Sequence, residues 1–169
     1  VVNVSKEYLP GIGTAWDDPR LDLRFIDGID YVKTSEDEKF DVILLDGTDP
    51  IGPGAVLFDE AFYGGCQRML SDDGVMALQS ESPLLMMDVF VETQHKLRKL
   101  FAEVHPYLGP VPLYGTGVWS WSWCSNTGEP LRPVQERQEA IVEGSKAYNA
   151  ELHQAVFALP NYVKRALKL

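Results

Sequence analysis

The run Asp41-Val42-Ile43-Leu44-Leu45 stops at a segment that suits neither helix nor sheet, Asp46-Gly47-Thr48-Asp49-Pro50-Ile51-Gly52-Pro53. Consecutive apolar residues rich in β-formers read as a buried parallel strand. The two prolines lack the amide hydrogens that a helix interior or a ladder needs, so the chain must leave the sheet as a stiff loop. That loop carries two carboxylates three residues apart. In open α/β sheets ligands sit beyond the carboxyl ends of the strands, so this is the expected binding edge of the molecule.

The rest of the chain supplies a sheet for that edge. Val1 to about Tyr8 reads as the end of a helix stopped by Pro10 and Gly11, and residues 17–20 as a turn. Leu21 to Ile26 alternate well enough for a strand ending at Asp27-Gly28. A short amphipathic helix with Ile29, Tyr31 and Val32 follows, ahead of an acidic turn at residues 36–38. Phe62, Cys66, Met69 and Leu70 fall on one helical face. Ser71-Asp72-Asp73-Gly74 reads as a turn, and Val75-Met76-Ala77-Leu78 as another buried strand, ending at Gln79-Ser80-Glu81-Ser82. Ser82 as N-cap and Pro83 at the first helical position predict a helix with Met86, Val89, Phe90, Leu97 and Leu100 on one face.

Residues 104–127 are strand-like, with Trp119, Trp121 and Trp123 alternating with serines and a cysteine. Residues 135–157 read as helical, and Pro160 breaks the pattern before a last amphipathic turn. Strand, helix, strand, helix, strand in this order predicts a parallel sheet with right-handed crossovers, closed by an antiparallel end of the methyltransferase type. The expected fold is therefore α/β, Rossmann-like and mostly parallel. Residues 1–127 form its partial catalytic domain, and 128–169 a helical extension packed on it.

Composition removes several classes of function. A net charge of −10 argues against a nucleic-acid partner and is compatible with a cationic one. No apolar run reaches the length of a membrane span and no signal-peptide pattern opens the chain, so the expected setting is cytoplasmic. Two cysteines, Cys66 and Cys124, read as buried thiols rather than a disulfide framework, and His95, His105 and His153 have no ligand spacing, so no metal is implied. Gly11-Ile12-Gly13 and Gly115-Thr116-Gly117 lack the third glycine of a dinucleotide fingerprint and read as loops.

Three strand ends then deliver polar groups to one edge: Asp27-Gly28, Asp46 to Asp49, and Gln79 to Glu81. With Tyr114 and the tryptophans, this kit of carboxylates, an amide and aromatic rings suits an organic cation. A primary amine with a pKa of roughly 10.4 arrives protonated. A carboxylate can orient it, help accept its proton and stabilise the ammonium that develops, and a second polar group can fix its position.

The loop at 46–53 also resembles the signature of the spermidine synthase (polyamine aminopropyltransferase) family, D-[SG]-[ST]-D-P-x-G-P. Val4-Ser5-Lys6-Glu7-Tyr8-Leu9-Pro10, Asp17-Asp18-Pro19-Arg20, Asp27-Gly28, Leu57-Phe58, Phe62-Tyr63 and Gln79-Ser80-Glu81-Ser82 are similar to the family as well. So are Tyr148-Asn149, Leu152-His153 and Ala158-Leu159-Pro160.

The resemblance implies aminopropyl transfer from decarboxylated S-adenosylmethionine, as co-substrate and with no further cofactor, to putrescine, giving spermidine and methylthioadenosine. It implies Asp46 as the catalytic proton acceptor. Asp46, Gly47, Thr48, Asp49, Gln79 and Tyr114 would form the diamine site, Asp27 and Gly28 would hold the adenine, and Pro53 would pack on the nucleoside. It also implies a homodimer or higher homo-oligomer. Gly47 stands where many relatives have Ser.

The family's amino-terminal β-domain, its glycine-rich loop and its ribose-gripping acid would precede Val1, so the isolated piece is expected to be inactive. The residues leave alternatives open: another amine acceptor such as spermidine, agmatine or cadaverine, a methyl donor as in putrescine N-methyltransferases, or a non-catalytic association module.

Overall fold

A computed structural model describes residues 1–169 except Thr14, residues 36–38, Asp49 and Ile51, together with the Pro53 side chain. Its centre is a four-stranded sheet: β1 (Phe40–Leu45), β2 (Leu70–Gln79), β3 (Glu103–Pro110) and β4 (Val118–Ser125), in spatial order β1-β2-β4-β3. β1 and β2 are parallel, while β4 runs antiparallel to both β2 and β3. The sheet is thus mostly antiparallel, not mostly parallel as expected. β1, β2 and β3 do run in one direction, but the hairpin that follows β3 inserts β4 between β2 and β3 and converts two of the three pairings.

Register makes the two faces chemically distinct, because successive residues of a strand point to opposite sides. Ile43, Met76, Cys124 and Val104 form one row across the sheet. They pack beneath α3 (Glu60–Met69) and α4 (Met87–Leu100), which contribute Phe62, Tyr63, Cys66, Met69 and Leu97 to the same core. The neighbouring row, Leu44, Ala77, Trp123 and His105, points the other way. On that side Phe157 covers His105 and Tyr107, whereas Leu44 is 74% exposed at the β1 end.

The helices follow from local chemistry. α1 (Val2–Tyr8) ends ahead of Pro10 and Gly11 as expected. α2 (Gly28–Thr34) begins at Asp27, whose carboxylate accepts from the amides of Ile29 at 2.7 Å and Asp30 at 3.2 Å, satisfying donors that a helix start leaves without intrahelical partners. Buried Val32 on α2 packs into the main core against α3. α7 (Asn161–Leu167) docks Val163 and Leu167 on Phe90 of α4, forming a second, smaller core.

Four local expectations fail for identifiable reasons. Leu21 to Ile26 form no strand: alternation supplies a half-apolar ribbon, but a strand needs a ladder partner and no described strand lies beside it. The supposed turn at 71–74 is instead a bulged part of β2, where the register against β1 slips between Phe40 and Val42 and Ser125 Oγ donates to the Gly74 carbonyl. Ser82 and Pro83 open a tight turn, and α4 begins only at Met87. The helix expected over 135–157 is split into α5 (Gln135–Gly144) and α6 (Ala150–Ala155), where Asn149 caps a new start by accepting from the Leu152 amide at 2.7 Å. The expected acidic turn at 36–38 lies outside the described residues.

Candidate active site

β1 and β2 end side by side. Their last ladder pair is Leu45 opposite Leu78, so the next residue of each strand is Asp46 and Gln79, on the face opposite the helices. The two line a cavity of about 460 Å³ with Leu44, Ala77, Tyr107, Tyr114, Trp119 and Trp121. A smaller cavity of about 210 Å³ shares Asp46 and Gln79 and is completed by Gly47, Leu57, Phe58 and Tyr63. Its outer wall is the short 3₁₀ segment Gly52–Phe58, whose end is tied to α4 by Lys96 Nζ donating to the Phe58 carbonyl at 2.9 Å.

The polypeptide after β2 is held rigidly. Glu81 is 2% exposed and adopts φ +67°, a left-handed conformation that costs energy for a non-glycine residue and needs support from its surroundings. Ser120 provides it: its amide donates to the Glu81 carbonyl at 3.0 Å, and its hydroxyl lies 2.6 Å from that oxygen and 2.9 Å from the Ser80 carbonyl. Behind it, Ser80 and Ser122 hydroxyls meet at 2.6 Å and Gln94 of α4 donates to Ser122 at 2.6 Å, pinning both strands to the helix layer.

Gln79 is 7% exposed, and its amide has one permitted orientation. Its Oε1 accepts from the Glu81 amide at 3.1 Å and from the Trp119 indole Nε1–H at 3.1 Å. Both partners can only donate, so the oxygen must face them. Nε2 is thereby turned to donate to the Glu81 carboxylate at 3.2 Å. Trp119 also packs edge-on against Tyr114, ring centroids 4.6 Å apart.

The structure therefore brings Asp46, Gln79 and Tyr114 around one cavity and places Gly47 in its neighbour. Thr48 is exposed beside them. Asp27 and Gly28 are not at a strand end: Asp27 caps α2, and Gly28 lines a separate, apolar cavity of about 270 Å³ with Tyr31, Val32, Phe40, Val42, Cys66 and Met69. Asp49 and the Pro53 side chain lie outside the described residues. The sequence placed Glu81 in the Gln79–Glu81 cluster and Trp119 among the tryptophans but gave neither a role of its own. Glu81 stands two residues beyond Gln79 and Trp119 alternates with Trp121 and Trp123, but only the β2–β4 register shows that all three meet.

What such an arrangement can do is bounded by its nucleophiles. Burial pushes the Cys66 thiol up to about 11 and raises that of Cys124 further, so neither offers a thiolate near neutrality. Both cysteines are free and buried, as the sequence suggested. His153 is fixed between the Tyr148 hydroxyl at 2.9 Å and the Pro130 carbonyl at 2.6 Å, and His105 pairs with Glu103. At the cavity itself an aspartate and an amide stand among the rings of two tyrosines and two tryptophans. Carboxylate and ring faces suit a cation carried on an apolar stem.

A family model described as spermine/spermidine synthase domain matches residues 1–136. The chain belongs to the spermine/spermidine synthase family. It is 39% identical to a polyamine aminopropyltransferase of Prochlorococcus marinus (strain MIT 9313), over 99% of this chain and 59% of that protein. It is 41% identical to polyamine aminopropyltransferase 1 of Pseudomonas aeruginosa, over 99% of this chain and 60% of that one. The chain thus spans about 60% of the length of these relatives.

Among solved structures, a spermidine synthase in complex with the transition-state analogue AdoDATO superposes with a TM-score of 0.90 at 34% identity, covering 99% of this chain and 57% of that one. The Thermotoga maritima spermidine synthase gives 0.87 at 34% identity, covering 99% and 56%. Human methyltransferase-like protein 13, at 17% identity, 0.61, and coverage of 95% and 68%, shares the fold of this spermine/spermidine synthase family member.

Proposed function

We propose that the cavity between Asp46, Gln79 and Tyr114 takes the amine acceptor of an aminopropyl transfer, with putrescine as acceptor and decarboxylated S-adenosylmethionine as donor. The observation that carries this reading is the convergence of a carboxylate, a locked amide and aromatic walls at the carboxyl ends of two adjacent parallel strands. The relatives of known name support it.

In this reading the diamine lies with its methylenes against the rings of Tyr107, Tyr114 and Trp121, and Asp46 receives the reacting ammonium group. Asp46 accepts its proton, and the freed nitrogen lone pair attacks the aminopropyl carbon bonded to sulfonium sulfur. The C–N bond forms as the C–S bond breaks, and the bonding pair leaves with sulfur as the neutral thioether of methylthioadenosine. Holding the amine at attacking distance supplies much of the acceleration, and placing a carboxylate where positive charge develops on nitrogen supplies more. Gly47 and Thr48 follow that carboxylate in the chain, and Asp49 would bind the diamine. Asp27 and Gly28 would hold the adenine, with Pro53 packed on the nucleoside.

Incubation with decarboxylated S-adenosylmethionine and equal concentrations of putrescine, cadaverine, agmatine and spermidine tests the assignment. Mass spectrometry should find spermidine and methylthioadenosine in equal amounts, with putrescine consumed first. Preferred consumption of another amine would overturn it.

A further inference from the structure

From the three hydrogen bonds around Gln79 we infer that Trp119 is the positioning residue of the acceptor cavity, setting its affinity for diamines through Gln79 and Tyr114. The inference rests on the acceptor-site reading above and adds a residue and a mechanism to it.

Trp119 touches two walls at once. Its indole N–H fills one lone pair of Gln79 Oε1, and its ring meets Tyr114 edge-on with centroids 4.6 Å apart. An amide oxygen has two acceptor sites, and the Glu81 amide takes the other. With both filled by obligate donors, the Gln79 amide cannot rotate by half a turn without setting N–H against N–H twice. Its Nε2 consequently stays on Glu81 Oε1, and the buried carboxylate is held in a single pose beside the cavity. An ammonium group needs acceptors in fixed places, and the acceptor fixed through Gln79 is the Glu81 carboxylate, which a Gln79 free to rotate would release. Removing the indole N–H leaves only the Glu81 amide and carboxylate to orient Gln79, so the preference for one amide orientation weakens.

The indole side also explains why a tryptophan stands here rather than another large apolar residue. Trp121 and Trp123 share its sheet face, and Trp121 stacks on Tyr107 at 5.7 Å. Among the described contacts only Trp119 of the three has its ring nitrogen on a cavity-lining side chain.

Trp119→Phe keeps an aromatic ring and removes the donor, and Gln79→Leu removes the acceptor. Two readouts on the chain test the inference. In ¹⁵N–¹H spectra the Trp119 indole resonance, assigned as the one missing from Trp119→Phe, should move in Gln79→Leu. An unmoved resonance overturns the hydrogen-bonded coupling. In titrations with putrescine, Trp119→Phe should weaken binding about tenfold, the scale of one lost hydrogen bond in a buried site, while methylthioadenosine affinity stays within about twofold. The double variant should bind putrescine no more weakly than Gln79→Leu alone, because both changes break one arrangement. Trp119→Phe binding putrescine as tightly as the parent, or losing both ligands equally, overturns the positioning role. A parent chain that binds no diamine overturns the acceptor-site reading and takes this role with it, and that outcome is recognisable because the indole resonance still answers to Gln79→Leu.

Discussion

In the proposed reaction Asp46 is the residue on which the chemistry turns. It is solvent-accessible, yet it stands at a strand end whose neighbours are fixed by the ladder and by the Ser120 strap on Glu81. Asp46→Asn keeps shape and removes the proton acceptor. Turnover should fall by about 10²–10⁴-fold, the usual worth of a positioned general base, with the circular-dichroism spectrum unchanged. Turnover within a few fold of the parent would remove Asp46 from that role.

The acidic loop and Gln79 were legible in sequence because each ends a recognisable apolar run. The meeting of Trp119 and Glu81 at Gln79 was not, because it depends on which strands are neighbours, and strand order is not written in local pattern. The strand expected to end at Asp27 fails for a related reason: the same Asp-Gly pair that closes a strand also opens a helix, and here the carboxylate caps α2.

Between elements, α2 crosses α3 closely at Gly65. A Cβ on Gly65 would stand 2.2 Å from Val32 Cγ1, far inside contact distance, so glycine at this helical position permits the packing. Gly65→Ala should destabilise the chain by about 1–3 kcal/mol despite alanine's better helix propensity, as overpacking does. Val32→Ala in the same chain should recover part of that loss in urea melts, and a Gly65→Ala chain as stable as the parent would show that α2 moves freely. Helix faces such as Phe62, Cys66 and Met69 were readable from their spacing, since burial imposes the period directly. Boundaries were less so. α4 starts after a turn that Ser82 and Pro83 nucleate, and the break between α5 and α6 rests on Asn149, whose cap becomes visible only in three dimensions.

At the level of the whole molecule, expectation and structure part over one insertion. Three strands run the same way, as alternating strands and helices suggest, but β4 enters between β2 and β3 and makes two pairings antiparallel. No local signal distinguishes a hairpin at a sheet's edge from one that inserts, and the serine and tryptophan alternation of β4 fits either. The insertion is what carries Trp119 to Gln79.

The shared core also has a pH signature. Burial raises the Cys66 thiol from 9.0 to about 11, and Cys124 and Tyr63 shift in the same direction. The unfolded chain releases these protons first, so folding stability falls as pH rises from about 9 towards 11 through the Cys66 window. Melting temperature should decline over that range, and a Cys66→Ala, Cys124→Ala chain should show a shallower slope from a lower starting point; an equal slope would mean that the thiols ionise freely in the fold.

The central claim is that a diamine occupies the cavity at the ends of β1 and β2. A crystal structure of the chain soaked with putrescine tests it most directly. One amine nitrogen should lie at about 2.7–3.2 Å from a carboxylate oxygen of Asp46, with the methylenes along Tyr107, Tyr114 and Trp121. Putrescine bound elsewhere with this cavity left to solvent would contradict the claim.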